Sequence, residues 1–212
     1  MYKALIAASL LLLAGCESTY YSAMESVGVH KRDIMVDRVE EARDAQSDAQ
    51  QEFQSALEQF QALTNFDGGD LQRMYESVSD AYDDSAASAA QVSKRIDDVE
   101  SVADALFEEW QDELDQISND RLRRDSASKL KATERNYKSL IRSMRRAEAK
   151  MDPVLTALKD NMLYLKHNLN AAAIGSLDQE YKSIKSDIDA LIAEMNASIS
   201  SSNEFIESLR GN

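Results

Sequence analysis

The chain holds one proline, six glycines and one cysteine among its 212 residues. Proline and glycine together fall far below the roughly 12% that is usual for the pair. So few of them cannot serve the many tight turns of a β-sandwich, a barrel or a doubly wound sheet. A single cysteine, Cys16, excludes a disulfide within the chain. No apolar run reaches the roughly 20 residues that a membrane-crossing helix needs. What is left is an all-α protein. Apolar residues at 43% are too many for a disordered chain, and charged residues at 29% are too many for a multi-span membrane protein. Acidic residues outnumber basic ones by 38 to 24, leaving a net charge of −14.

The first sixteen residues carry one charge, Lys3, then an apolar stretch from Ala4 to Ala14 that ends in Leu13-Ala14-Gly15-Cys16. This stretch has the length of a signal-peptide core. The small residues Ala14 and Gly15 give a peptidase access to the backbone, and Leu-x-x-Cys resembles the bacterial lipobox, in which the cysteine thiol is diacylated before cleavage. Residues 1–15 are therefore expected to be a signal peptide, residues 16–22 a lipidated linker, and 23–212 one long helical domain. A diacylglycerol and an N-acyl chain on Cys16 would bury about forty CH₂ groups at about 0.8 kcal/mol each, far beyond a single reversible acyl anchor. The alternatives are a plain signal peptide that leaves a free thiol, or a buried N-terminal helix. Glu17 stands where Asp is the usual inner-membrane retention signal of such lipoproteins, which leans the expectation toward the outer membrane, facing the periplasm. Tyr20, Tyr21 and Met24 follow at the depth of the headgroup zone, or simply open the first helix.

Apolar residues then recur every seven positions. In the first segment Met35, Ala42, Ala49, Ala56 and Leu63 are joined by Val39, Phe53 and Phe60. The second has Val78, Val92, Val99 and Leu106 beside Tyr75, Tyr82, Ala89, Ile96, Ala103, Trp110 and Ile117. The third runs Leu130, Tyr137, Met144, Met151, Leu158, Leu165, with an offset row of Ile141, Leu155, Met162 and Leu169. The last has Leu177, Ile184, Leu191 and Phe205 with Tyr181, Ile188, Met195 and Leu209. Breaks fall at the Gly68-Gly69 loop, with Asp70 suited to cap the next helix, at Ser118-Asn119-Asp120, and between Asn168 and Gly175, where Ser176 and Gln179 match a capping box. These boundaries predict helices at about 23–63, 70–118, 120–168 and 176–209, packed as an elongated antiparallel up-down-up-down bundle with coiled-coil seams. Pro153 lies inside the third helix and predicts a kink, because the seven-residue phase continues across it. Ala42, Ala49, Ala56, Ser85 and Ala89 predict close approach of the first two helices.

Charge is sorted by helix. From Thr64 to Ser118 there are 3 basic and 15 acidic residues, and from Asn119 to Lys150 there are 11 basic and 4 acidic. The basic tract, Arg121, Arg123, Arg124, Lys129, Lys131, Arg135, Lys138, Arg142, Arg145 and Arg146, is expected to pair across the hairpin with Asp97, Asp98, Glu100, Asp104, Glu108, Glu109, Asp112, Glu113 and Asp115, setting register. A second reading places Arg121, Arg123 and Arg124 against phospholipid headgroups, because the turn near Asn119 returns toward the anchored end. Nucleic acid is not an expected partner for an exported, acidic chain.

Catalytic chemistry is sparse. Ser126-Ala127-Ser128-Lys129 and Ser128-Lys129-Leu130-Lys131 satisfy S-x-x-K, but the companion K-T-G is absent. His30 and His167 belong to no H-E-x-x-H or Glu-x-x-His pattern, and Asp83-Asp84 and Asp97-Asp98 lack the spacing of a calcium loop. No catalytic residue, metal ligand or cofactor is assigned, apart from the covalent lipid on Cys16.

The run from His30 to Gln46, HKRDIMVDRVEEARDAQ, resembles the opening of a family of predicted lipoproteins from marine and related Gram-negative bacteria. So do Met144-Arg145-Arg146-Ala147-Glu148 with Met151 and Pro153, and Leu165-Lys166-His167-Asn168-Leu169-Asn170-Ala171. The similarity, from about Tyr20 to the end, is to domain-of-unknown-function family 2959. It implies class and location but carries no functional residue. The expected function is that of a non-enzymatic envelope lipoprotein, a helical rod that contacts another envelope protein through its distal turns at Phe66, Asp67, Gly68, Gly69, His167, Asn168 and Asn170. Self-association through an incompletely buried seam is the alternative, and an envelope enzyme or ligand binder the third reading.

Overall fold

A computed structural model of the chain describes residues 30–65, 68, 70–168, 170 and 174–211, together with 24 and 28. Its main elements are α1 (Lys31–Thr64), α2 (Leu71–Gln116), α3 (Asp120–Ala149), α4 (Met151–His167) and α5 (Asp178–Arg210). There is no strand among the described residues.

Each helix buries a strip whose members are three and four residues apart, the spacing that keeps one face of a helix against its neighbours. On α1 the strip is Met35, Val39, Ala42, Gln46, Ala49, Phe53, Ala56, Phe60 and Leu63. On α5 it is Ile184, Ile188, Leu191, Met195, Ser198, Ser202, Phe205 and Leu209. Gln46, Ser198 and Ser202 occupy the steps that the apolar pattern skips, so the core carries a few polar side chains in otherwise apolar rows. On α3 and α4 the row Leu130, Met144, Met151, Leu158, Leu165 is buried as its spacing predicts. Its companion is not the expected Ile141, Leu155, Met162. It is Thr133, Leu140, Ala147, Val154 and Asn161, three residues on from each member rather than four. Ile141 and Leu155 lie half-buried at the edge of the core, while Leu169 lies outside the described residues.

Cross-helix bonds give the directions. Lys31 Nζ reaches Glu109 at 2.9 Å, Arg95 reaches Glu41 at 2.8 Å, and Ser85 Oγ lies 3.2 Å from the Glu52 carbonyl. The partner number falls on α2 as it rises on α1, so the two helices are antiparallel. Trp110 with Ser126 and Arg145 with Glu100 show the same for α2 and α3; Arg210 with Glu40 and Arg43 with Asn203 show it for α5 and α1; Arg146 with Glu194, and Asn136 and Leu140 lining one cleft with Ser201 and Phe205, show it for α3 and α5. α1 packs on α2 and α5, and so do α3 and α4, whereas α1 forms no substantial interface with α3 or α4. The bundle therefore has α1 and the α3–α4 column on opposite corners. The Ser85 hydroxyl can reach a carbonyl of the neighbouring helix only because the facing α1 residues are small; Ala49 and Ala56 are buried beside Phe53.

Pro153 divides the third segment in two. Its ring has no N–H for the carbonyl of Ala149, and the helix is interrupted at Lys150, which stays in the right-handed region with φ −85° and ψ −16°. The expected helix over 120–168 is thus α3 plus α4, with the buried row continuous through Ala147, Met151 and Val154. Two expected caps form: Asp70 accepts from the Arg73 N–H, and Asn119 Oδ1 accepts from the N–H groups of Arg121 and Leu122. The Ser176–Gln179 box does not cap α5. The first residue before that helix is Leu177, buried and in the right-handed region with no side-chain cap. A preceding turn feeds the helix directly, since the Ile174 and Leu177 carbonyls accept from Leu177 and Tyr181. α1 begins at Lys31 after His30, which makes no side-chain cap bond, and Gly28 has φ +87°.

Candidate interaction surfaces

One end of the bundle is formed by the start of α1, the α2–α3 turn and the end of α5. α1 starts level with Glu109, while α2 runs on to Gln116, so the α2–α3 hairpin projects about 10 Å further at 1.5 Å per residue. Beside it, His30, Lys31, Arg32, Leu106, Glu109, Trp110, Glu113, Thr133 and Leu209 line a cleft of about 270 Å³. Lys31 is almost fully buried there and its charge is met by Glu109 at 2.9 Å. Trp110 donates its indole N–H to Ser126 at 2.8 Å, which ties the hairpin together. Sequence spacing marked Trp110 only as a core residue, and nothing in the pattern singled out Lys31.

Arg121, Arg123 and Arg124 stand exposed on the first turn of α3 at the tip of this hairpin, with Leu122 between them at 50% exposure. Arg123 is held by Asp120 on its own helix. Cys16 lies outside the described residues.

The opposite end carries the α1–α2 and α4–α5 turns. Phe66, Asp67 and Gly69 lie outside the described residues; Gly68 takes φ +140°, a conformation that favours glycine. His167 closes α4 and is exposed, and Asn168 donates its side-chain N–H to the Tyr164 carbonyl at 3.0 Å. Asn170 is exposed, with its backbone N–H 2.8 Å from the Asn168 carbonyl. Leu163 and Tyr164 are exposed nearby on α4, and Tyr164 borders an open cleft with Asp160, Asn161, Ser176, Leu177 and Glu180. The structure thus places His167, Asn168 and Asn170 together at one turn, at the same end of the bundle as Gly68.

The basic tract does not pair as its sequence position predicts. Among the described residues only Arg145 of the tract reaches α2, bonding Asp97 at 2.6 Å and Glu100 at 2.5 Å, with Glu148 of its own helix at 2.9 Å. Those bonds, Glu100 first, raise the guanidinium above its ordinary range against the opposing effect of burial. Arg146 turns the other way, to Glu194 on α5, and Lys129 pairs with Asp125 one turn before it. Arg121, Arg124, Lys131, Arg135, Lys138 and Arg142 form no ion pair among the described residues and point into solvent. The reason is geometric: with Leu130, Met144 and Leu140 facing the core, positions 131, 135, 138 and 142 fall on the far side of the helix. Beneath Arg145, Tyr137 packs edge-on against Phe107 with ring centroids 5.4 Å apart. Burial, then the nearby Glu100 and Asp104 carboxylates, push its phenol above the ordinary tyrosine value.

Among the described residues no helix is long and apolar enough to cross a membrane, and no group of three or more His, Cys, Asp or Glu is placed to hold a metal ion. The class defined by these features is an all-helical bundle with charged, largely solvent-facing outer surfaces. The profile of the family described as a protein of unknown function, DUF2959, matches residues 20–209, and the chain belongs to that family. No curated protein matches the chain.

Proposed function

We propose that the protein is a non-enzymatic lipoprotein of the bacterial cell envelope, tethered through acyl chains on Cys16 and facing the periplasm, at the outer rather than the inner membrane. The observation that carries this reading is the sequence Leu13-Ala14-Gly15-Cys16 at the end of a short apolar core, fourteen residues ahead of His30. The bundle supports it in shape. α2 alone has 46 residues and is about 69 Å long, so a tethered bundle would hold its distal turns well clear of a bilayer. On this reading the protein is a scaffold or interaction module, and an envelope protein docks at the turns around Gly68 and His167–Asn170. Replacing Cys16 by Ser, or blocking the lipoprotein signal peptidase with globomycin, is expected to accumulate unprocessed chain and move it out of the membrane fraction. Unchanged processing and fractionation refute the reading. The docking position is checked by in-cell crosslinking with mass spectrometry: deleting both distal turns should abolish the partner's crosslinks.

A second reading, favoured by the exposed Leu122 among Arg121, Arg123 and Arg124, has the hairpin tip touching anionic headgroups. Asp120 already holds Arg123, so Arg121 and Arg124 would carry most of the contact. A triple charge reversal that, in chains without the acyl anchor, leaves binding to anionic liposomes unchanged rules this out.

A further inference from the structure

We propose that this bundle binds a second copy of itself side by side, the exposed cationic face of α3 in one molecule docking on the exposed acidic face of α1 in the next. Lys131, Arg135, Lys138 and Arg142 are exposed and stand four, three and four residues apart, which at 100° per residue places them within about 60° of arc. α1 presents Asp33, Asp37 and Asp44, all exposed, and Glu40, half-buried, at the same spacing, hence on an equally narrow face. Glu40 is bonded by Arg210 and Asp44 by Arg43, while Asp33 and Asp37 have no ion-pair partner among the described residues.

Height and direction match as well as spacing. Lys31 and Thr133 line the same cleft, so the two faces start at one level of the bundle. α1 and α3 are both antiparallel to α2, so both lead away from that end. Sliding one molecule beside another without an axial shift therefore brings Lys131, Arg135, Lys138 and Arg142 opposite Asp33, Asp37, Glu40 and Asp44. Because α1 and α3 occupy opposite corners, a molecule bound through one face leaves the other open. The contact is head-to-tail and extends into a row. Exposed ion pairs contribute little each and are screened by salt, so the association is weak in free solution. On the proposed reading of a shared lipid anchor, tethering to one bilayer raises the effective concentration and fixes the common height.

The test is zero-length carbodiimide coupling of the purified full chain in non-ionic detergent, with the linked peptides identified by mass spectrometry. Within one molecule Lys131 and Lys138 face away from α1, so a link from either to Asp33, Asp37, Glu40 or Asp44 joins two molecules. Such links are expected at low salt and should fall at least about tenfold at about 0.5 M salt, where screening is strong. A chain carrying Lys131→Glu, Arg135→Glu and Lys138→Glu, and a second carrying Asp33→Lys, Asp37→Lys and Asp44→Lys, should each lose self-coupling while keeping parental circular dichroism. Mixing the two should restore coupling between them. Absence of the α3–α1 links in the parent, or a mixture that stays uncoupled, overturns the proposal. So does phosphatidylglycerol vesicles retaining the chain through α3 while abolishing the links, which makes a lipid surface the occupant. Working in detergent separates failure of this docking from failure of the anchor, which the Cys16→Ser fractionation reads independently.

Discussion

Gln46 offers a quantitative test of how the core is built. It lies at a fully inward position of α1, between Ala42 and Ala49, with 0% exposure. Neither its amide nitrogen nor its amide oxygen has a hydrogen-bond partner among the protein groups. Burying a polar group in this state costs about 1–3 kcal/mol on scales drawn from protein mutants. Replacement by Leu removes both unpaired atoms and keeps most of the volume. The branched side chain does not fill the far end of the space, and that void returns part of the gain. A net stabilisation of about 2 kcal/mol is expected for Gln46→Leu, which for a chain of this size raises the melting temperature by about 4–8 °C. Urea denaturation followed by circular dichroism measures it, with an unchanged slope as the sign that the two-state comparison holds. The opposite outcome, a loss of 1 kcal/mol or more, refutes the reasoning and means that the amide is satisfied by a buried water. Ser198 is the side chain that would share such a water. Its hydroxyl is also fully buried and unpaired, and it lies on the α5 strip that faces α1, near the level set by Arg43 with Asn203. A bridging water would couple Gln46→Leu and Ser198→Ala in a double-mutant cycle, whereas independent sites add.

Arg145→Ala is expected to destabilise the bundle by about 1 kcal/mol, since the pairs it forms are partly exposed and screened; a cycle with Glu100→Ala, repeated at high salt, isolates the pair. Removing the cap in Asn119→Ala leaves the N–H groups of Arg121 and Leu122 without their acceptor and should cost about 1 kcal/mol, read from the shift in denaturation midpoint. Tyr137 predicts an alkaline dependence. Its phenol is raised above its ordinary 10.0 in the folded chain, so below that value both states keep the proton and the group adds no slope. Above it the unfolded state releases the proton first, and stability falls as pH rises. Tyr137→Phe should flatten this decline in urea titrations above pH 10; an identical slope in the two proteins refutes the assignment.

The four helical columns, their order and most of the interruptions were legible because the apolar repeat is long and the breaks are chemically sharp, while the division of the third column into α3 and α4 was expected only as a kink. Asp70 and Asn119 cap as their residue types dictate, and the row from Leu130 to Leu165 is buried at every step but Tyr137, which is half-buried. The repeat did not decide which companion row closes the seam. Ile141 and Leu155 are apolar, yet Thr133, Leu140, Ala147, Val154 and Asn161 are buried, because a helix squeezed between α2 and α5 turns toward whichever side lets its neighbours approach. Small residues at 133 and 147 allow that approach. At the start of α5 a local motif lost to packing: Ser176 and Gln179 have the right spacing for a box, but burying Ile174 and Leu177 extends a turn through the place where the box would form. At the end formed by the α1–α2 and α4–α5 turns, His167, Asn168 and Asn170 were legible as one turn. The cleft at Lys31 and Glu109 was not, since it depends on where α1 starts relative to a helix 78 residues away.

The same rotation explains the charges. Given Leu130, Met144 and Leu140 on the inner face, the bases at 131, 135, 138 and 142 have to face outward. Only Arg145, long enough to reach around the edge, meets the acidic run on α2. Two carboxylates of α2, Asp97 and Glu100, share that one guanidinium with Glu148 of α3, so among the bases of the tract Arg145 alone adds to the register that Trp110 with Ser126 and Phe107 with Tyr137 also fix, and the remaining bases are released from it. A sorting of charge that contributes so little inside the molecule is presented to what lies outside it. With α1 acidic, α3 basic and the two on opposite corners, the bundle carries a transverse charge asymmetry that its net charge of −14 conceals. Such a molecule repels a copy that presents the same face and attracts one that presents the opposite face. The arrangement of charge thus sets the orientation of an encounter even where each ion pair is weak.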